Sequence, residues 1–334
     1  MTTKVDSSKK QGKRRINRWK ILGAAANQKD YQVYAGYLNS DGSYLTTASS
    51  SAYARFEKAL PFKGCVDFKL FSNFFGDFDS SGTEVACKNN QVHLRDGKLK
   101  TTLKLMDFKF PYLYIPQAEG IEITKELIDE IKFLYKFGKK HKDILINKDG
   151  LFTTGPWYFC HTNMNLNFDP SNLKYINFKG EFVSVLENGS KISKNEGIIS
   201  ITYEDGVFSF VENKDKISEE VLERGTSKIQ EVKEKGISLG SVAKITQLSK
   251  KVNIILANEI EKRLVVEFKK DKILIGAKSF DGETVCEIEN PTEINNISTE
   301  IPIQIFNLLS EEFELRVLDD WKLFTHNNRD IICR

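Results

Sequence analysis

Short runs of alternating apolar and polar residues recur along the chain, joined in pairs by tight polar turns. The turns are Ser40-Asp41-Gly42, Lys88-Asn89-Asn90, Lys148-Asp149-Gly150, Glu204-Asp205-Gly206, Lys270-Asp271-Lys272 and Asp319-Asp320. Asp-Gly between alternating apolar stretches is a strong hairpin signal, because both central residues of the favoured turn need positive φ. The turns lie roughly fifty to sixty-five residues apart, the scale of one repeated supersecondary unit. Each unit reads as a helix-compatible segment followed by strand, turn and strand.

Period-two alternation predicts strands at Tyr31 to Leu38, Tyr44 to Ala48, Glu84 to Cys87, Gln91 to Arg95 and Leu99 to Leu105. Later strands are expected at Ile198 to Tyr203, Val207 to Val211, Arg263 to Phe268, Ile273 to Ala277, Glu283 to Ile288, Phe313 to Leu318 and Trp321 to His326. The fourth unit begins with Tyr175 to Phe178 and Glu181 to Leu186. Helical spacing of apolar residues appears at Leu70, Phe71, Phe74, Phe75 and Phe78, an aromatic stripe that reads as core. A short helix is compatible with Trp19 and Leu22, and another with Ile303 to Leu309. The clearest helix follows Thr124, a good N-cap, with Leu127, Ile128, Ile131, Leu134 and Tyr135 on one face. Lys125, Lys132, Lys136 and Lys139 fall on the other face, with Asp129 and Glu130 read as lying off that stripe. A fifth helix carries Val242, Ile245, Leu248 and Val252 on one side and Lys244 and Lys251 on the other.

These patterns divide the chain into a basic tail over 1–15, globular segments over 16–117, 118–213 and 239–334, and a charged connector over 214–238. The 334 residues suffice for two or three domains. There is no run of about eighteen apolar residues, so no membrane span is expected, and no signal peptide is visible at the basic N-terminus. Five scattered cysteines without a CxxC pair indicate a reduced, cytosolic protein and no zinc cluster. The four histidines show no ligand spacing. Net charge is only +3, so any affinity for nucleic acid rests on where the cations sit. The cluster Arg14, Arg15 and Arg18 is either a solubilising tail or a phosphate-contacting arm. A lysine stripe on a helix is either a solvated face or a surface laid across phosphates.

Catalysis finds little support. A metal-dependent nuclease needs grouped carboxylates, for which Asp77, Asp79, Glu84, Asp319 and Asp320 are available. They read instead as a helix end and a hairpin tip. No P-loop, G-x-S-x-G or H-E-x-x-H occurs. Cys160 and His161 are adjacent on a strand and point to opposite faces.

The order of elements over nearly the whole chain resembles the bacterial-type DNA polymerase sliding clamp, the β processivity factor. Val66 to Pro111 carries V-D-F-K-L-F, H-L-R-D-G-K-L-K-T-T-L and D-F-K-F-P. Ser249 to Ile288 carries S-K-K-V-N-I-I-L-A-N-E, R-L-V-V-E-F and D-G-E-T-V-C-E-I, and Ile301 to Leu309 and the apolar-basic tail Ile331 to Arg334 follow in the family's order. The first thirty residues, the charged connector and the last hairpin depart from the pattern, and an Asn, Asn163, stands where the family usually has Asp. This divergence suits a virus-encoded clamp acting in the bacterial cytoplasm during phage infection.

The resemblance implies an α+β DNA-clamp fold of three domains, each of paired βαβββ units, with antiparallel sheets outside and helices lining a ring. Six units per chain favour a homodimer, since two chains supply twelve helices. It implies a noncatalytic processivity factor without cofactor that encircles double-stranded DNA independently of sequence. Lys125, Lys132, Lys136, Lys139, Lys244 and Lys251 would face the duplex, with Arg14, Arg15 and Arg18 as an accessory arm. It further implies that a DNA polymerase and an ATP-driven clamp loader insert short apolar peptides into a pocket. By position that pocket maps to Thr162, Leu166, Val252, Ile305, Leu323, Ile331, Ile332 and Cys333. A non-ring, β-rich repeat protein acting as a structural or binding module is the alternative.

Overall fold

A computed structural model describes residues 16–26, 30–79, 82–111, 120–137, 143–155, 157–166, 175–212, 217–241, 245–247, 249, 263–279, 282–290, 294–303, 305, 309 and 313–334. The chain divides into two compact units, Met1–Ile128 with Ser184–Glu212, and Asp129–Val183 with Asn213–Arg334.

In the first unit, α1 (Arg18–Ala25) precedes the strands β1 (Tyr37–Ser40), β2 (Tyr44–Ala48), β3 (Ala52–Glu57) and β4 (Gly64–Asp67). Helix α2 (Phe68–Phe75) leads to a three-stranded sheet, β5 (Glu84–Lys88), β6 (Gln91–Asp96) and β7 (Leu99–Lys104). Strand β8 (Ile121–Glu122) follows, and α3 (Lys125–Phe137) begins in the first unit and continues into the second from Asp129. In the second unit come β9 (Asp143–Asn147), β10 (Gly150–Gly155), β11 (Tyr158–Thr162) and β12 (Tyr175–Lys179). The chain returns to the first unit for β13 (Lys191–Asn195), β14 (Ile198–Thr202) and β15 (Gly206–Val211). It then enters α4 (Glu219–Lys235), β16 (Ile237–Ser241), β17 (Arg263–Phe268), β18 (Lys272–Ser279), β19 (Gly282–Glu289), β20 (Ile297–Pro302), β21 (Glu314–Leu318), β22 (Trp321–His326) and β23 (Arg329–Cys333).

All strand pairs are antiparallel, and the sheet orders expose the repeat. The first unit holds β4-β1-β2-β3-β15-β14-β13-β8, and the second holds β12-β9-β10-β11-β23-β22-β21-β16 and the four-stranded β19-β18-β17-β20. Each half-sheet is three consecutive hairpin strands, closed in five of six cases by a strand that opens a helix-containing unit. Two half-sheets then join through their third strands. One junction pairs Gly206↔Phe56 through Phe210↔Ala52, and the other pairs Tyr158↔Cys333 through Thr162↔Arg329. The fold is therefore α+β, sheet-rich and built from one unit used repeatedly.

All six polar turns sit at hairpin tips. Asn89 and Asn90 adopt φ 53 and 60, as a two-residue turn of this hand requires, and Asp319 adopts φ 51. Gly150 opens β10 at φ 130, and a Cβ there would lie 2.1 Å from the Thr162 carbonyl oxygen, so only glycine fits.

Three expectations change. Tyr31 to Leu38 is not one strand: the backbone turns until β1 starts at Tyr37. Asp30 accepts from the Gln32 and Ser50 amides, and such local bonds compete with a ladder. In the fourth unit the helix position holds only a 3-10 segment, Gly180–Val185. The apolar-basic terminus is an interior strand, β23, with Ile331, Ile332 and Cys333 buried between β11 and β22.

Candidate functional site

Helix α3 behaves as its periodicity requires. Thr124 Oγ1 accepts from the Leu127 amide at 3.1 Å, closing the N-terminus. Leu127, Ile128, Ile131, Phe133 and Leu134 are buried, whereas Lys125, Lys132 and Lys136 are exposed. Glu130 leaves the exposed face: it is buried and accepts from Arg329 Nε and Nη2 at 2.9 and 3.0 Å. Arg329 also lies 4.3 Å over the Phe133 ring. Asp129 is a correction. It is exposed, four residues after Lys125 and three before Lys132, so it shares their face and offsets one of three charges. Lys139, Lys244, Lys251, Arg14 and Arg15 lie outside the described residues.

Arg18 is also corrected. Only 3% exposed, it forks onto Asp205 at 2.9 and 2.7 Å and also donates to Glu187. Its guanidinium lies 4.9 Å over the Tyr203 ring and 5.2 Å over Phe56. Burial works against the cation, yet Asp205 and Glu187 outweigh it and hold the pKa above the usual arginine value. A charge so occupied has no free hydrogen-bonding edge for phosphate, so Arg18 is a core-pinning residue and not part of a DNA arm.

A cleft of about 860 Å³ opens in the second unit. The end of β10 and start of β11 supply Trp157, Tyr158 and Phe159, and α4 supplies Val221, Arg224, Gly225 and Lys228. Strands β17 and β20 add Arg263, Val265 and Glu300, the β21–β22 turn adds Asp319, Asp320, Trp321 and Lys322, and β23 adds Ile332 and Arg334. Helix α4 forms its wall because Ser218 caps it and Ile229 and Val232 bury against Leu145, Phe152, Phe159, Leu323 and Ile332. Gly225 permits this approach: a Cβ there would stand 2.7 Å from three Phe159 ring atoms. Lys228 lies 5.7 Å from the Trp321 ring centre and Arg263 5.8 Å from that of Trp157. Burial, and secondarily Arg263, hold the Lys322 pKa below its ordinary value.

Of the expected pocket residues, Ile332 lines this cleft and Leu323 lies in the apolar layer beneath it. Ile331 and Cys333 alternate to the other face of β23 and are fully buried, as is Ile305 nearby in sequence to β20. Thr162 ends β11 and Leu166 lies four residues beyond it; neither lines the cleft, which takes that strand's beginning. Thr162 Oγ1 is buried without a hydrogen-bond partner among the described residues. Asn163 exchanges bonds with Asn328, donating from its amide at 2.8 Å and accepting from Asn328 Nδ2 at 3.2 Å, and so ties β11 to the β22–β23 turn. Val252 lies outside the described residues. Sequence reading missed Trp157, Arg224 and Trp321; the Pro156-Trp157 pair, a chain breaker next to a large aromatic residue, was the available signal.

Among the described residues no three His, Cys, Asp or Glu side chains are grouped to hold a metal ion, and no helix is long and apolar enough to cross a membrane. Cys160 is buried, and the half-buried His161 stacks on Phe152 at 4.5 Å.

Two third strands, β7 and β19, have an outer edge without a strand partner among the described residues. Their exposed positions carry opposite charges: Lys100 and Lys104 on β7, and Glu283, Glu287 and Glu289 on β19.

No protein-family model matches the chain, and no curated protein matches it by sequence. Solved structures do match. The DNA polymerase sliding clamp of Bacillus subtilis superposes with a TM-score of 0.72 at 12% identity, covering 94% of this chain and 94% of that one. The DNA polymerase III β subunit of Pseudomonas aeruginosa gives 0.71 at 12% identity, covering 94% and 95%. The Helicobacter pylori β clamp, in a structure with a DNA ligase peptide bound, gives 0.70 at 14% identity, covering 95% and 96%. At such identities the likeness is one of architecture, and the chain has the fold of the bacterial β sliding clamp.

Proposed function

We propose that this chain is a noncatalytic sliding clamp: two copies close head to tail into a ring around duplex DNA and tether a replicative polymerase. The observation that carries this reading is the junction between third strands. The chain makes it twice internally, β3 with β15 and β11 with β23, and among the described residues leaves β7 and β19 open. A heterologous contact of β7 on one copy with β19 on the next repeats the same operation, and a rotation that closes gives a ring. Opposite charges on the two edges favour that pairing and oppose β7–β7 and β19–β19 pairing.

Three domains, over 16–117, 118–213 and 239–334, then supply the helices of the inner wall. The exposed lysines of α3 attract phosphates without reading bases, which suits a ring that must slide. The cleft beside α4 takes the apolar peptide of the polymerase or of an ATP-driven loader, with Trp157, Tyr158, Phe159 and Trp321 as the aromatic part of a concave lining that also carries charged side chains. The clamp acts in the cytoplasm of a bacterial cell, with phage-encoded replication as its setting.

Sedimentation equilibrium at micromolar concentration tests the ring. The chain is expected to run as a dimer, Lys100→Glu with Lys104→Glu as a monomer, and that pair combined with Glu283→Lys and Glu287→Lys as a dimer again. A wild-type monomer, or a dimer indifferent to all four charges, sinks the reading.

A further inference from the structure

The cleft's charge specifies its occupant more narrowly than its shape does. Its lining holds five cationic side chains, Arg224, Lys228, Arg263, Lys322 and Arg334, against three carboxylates, Glu300, Asp319 and Asp320. Two of the carboxylates are already engaged: Arg263 approaches Glu300 at 3.9 Å and Arg334 approaches Asp320 at 3.3 Å. Lys228 pairs with Glu231 outside the lining. Arg224 is exposed one helical turn before Lys228 on α4 and has no acidic partner among the described residues. It stands beside the apolar surface of Val221, Trp157, Tyr158 and Phe159.

We propose that this cleft binds a partner segment in which an aromatic or bulky aliphatic anchor is flanked by carboxylates, the anchor entering against Tyr158 and Phe159 and a carboxylate bridging Arg224 and Lys228. The inference rests on reading the cleft as the partner-peptide pocket and adds the charge its ligand must carry. A guanidinium with both edges free takes a carboxylate by two parallel hydrogen bonds, a geometry an amide reproduces poorly. The chain's own N-terminal tail is a poor occupant, since Lys9, Lys10, Lys13, Arg14 and Arg15 would meet a lining that is already cationic.

Fluorescence polarisation with the full chain tests it. The probes are a labelled nonapeptide with a central Leu-Phe pair flanked by aspartates, its Asp→Asn form, its Asp→Lys form, and a form with Ser-Ser replacing Leu-Phe. At about 50 mM salt the acidic peptide is expected to bind at least ~10-fold tighter than the Asn form, with the gap narrowing at high salt as Debye screening predicts. The Arg224→Gln variant should lose most of that gap; Arg224 is exposed, and circular dichroism checks the fold. Equal affinity for the acidic and Asn forms overturns the charge assignment and leaves the pocket reading intact. Equal affinity for the acidic and Ser-Ser forms shows mere counterion attraction and overturns both. Displacement of the acidic peptide by duplex DNA, with Asn and Ser-Ser forms equivalent, also overturns it and makes the cleft a phosphate contact.

Discussion

Replacing Arg18 with alanine separates its two roles, a DNA contact or a core pin. The side chain makes a two-pronged bond to Asp205 at 2.9 and 2.7 Å, a further bond to Glu187, and cation–π contacts at 4.9 and 5.2 Å. Removing one member of a buried ion cluster costs about 3–5 kcal/mol, because the remaining charges stay desolvated. Asp205 and Glu187 keep 22% and 16% of their side-chain surface, so water recovers part of that, and the expected loss is near the lower end, about 3 kcal/mol. With an m-value of about 3 kcal/mol/M in urea, the midpoint falls by about 1 M. The reporter is Trp19, which sits in the same unit against Phe71 and Phe78. A Trp157→Phe, Trp321→Phe background leaves it as the sole tryptophan, and urea titration then reads the first unit. Arg18→Met, which keeps the stem, should recover only a small part of the loss. A midpoint shift under about 0.2 M together with weakened retention on DNA would refute the packing argument and restore Arg18 to the DNA-facing set.

The other expectations concern α3, α4 and the thiols. Lys132→Glu with Lys136→Glu and Lys139→Glu should weaken retention on circular DNA at low salt, whereas Asp129→Asn should strengthen it; unchanged retention in both would make the stripe a solvated face. Gly225→Val should lift α4 from Phe159, costing about 1–3 kcal/mol for overpacking and abolishing peptide binding, read by melting and polarisation. Burial, then Asp107, pushes the Cys65 thiol up to about 12, and burial raises Cys333 to about 12 against the pull of Lys322 and Arg263. Both should ignore an aromatic disulfide reagent at pH 8 in the native chain, while the exposed Cys87 reacts. Because the folded pKa values exceed the unfolded value of 9.0, their contribution to stability is complete below pH 9 and is lost as pH rises towards 12. Unfolding free energy that rises between pH 9 and 11 in wild type, relative to a Cys65→Ala, Cys333→Ala variant, would contradict this sign.

The local grammar was legible in the amino-acid order. Turn residues able to hold positive φ placed the hairpin tips at Asn89, Asn90 and Asp319, and period-two runs placed β2, β5 to β7, β14, β15, β17 to β19, β21 and β22. Period 3.6 with a Thr cap placed α3. These signals are local because φ/ψ preference and side-chain alternation act within a few residues. Strand β3, Ala52–Glu57, escaped because five of its six residues are buried or half-buried and no clean alternation survives.

What tertiary structure alone decided is which strand lies beside which, and which charges remain free. Alternation says that β11 and β23 are strands but not that Tyr158 meets Cys333, since every third strand offers the same ladder of amides and carbonyls. In sequence Arg18 is one more member of a basic run; only the return of Asp205 and Glu187 from far along the chain neutralises it. Likewise Glu130 and Asp129 are neighbours of equal charge, yet one is buried under Arg329 and the other shares the lysine face. Partner choice over long separations depends on packing and desolvation, which no single segment encodes.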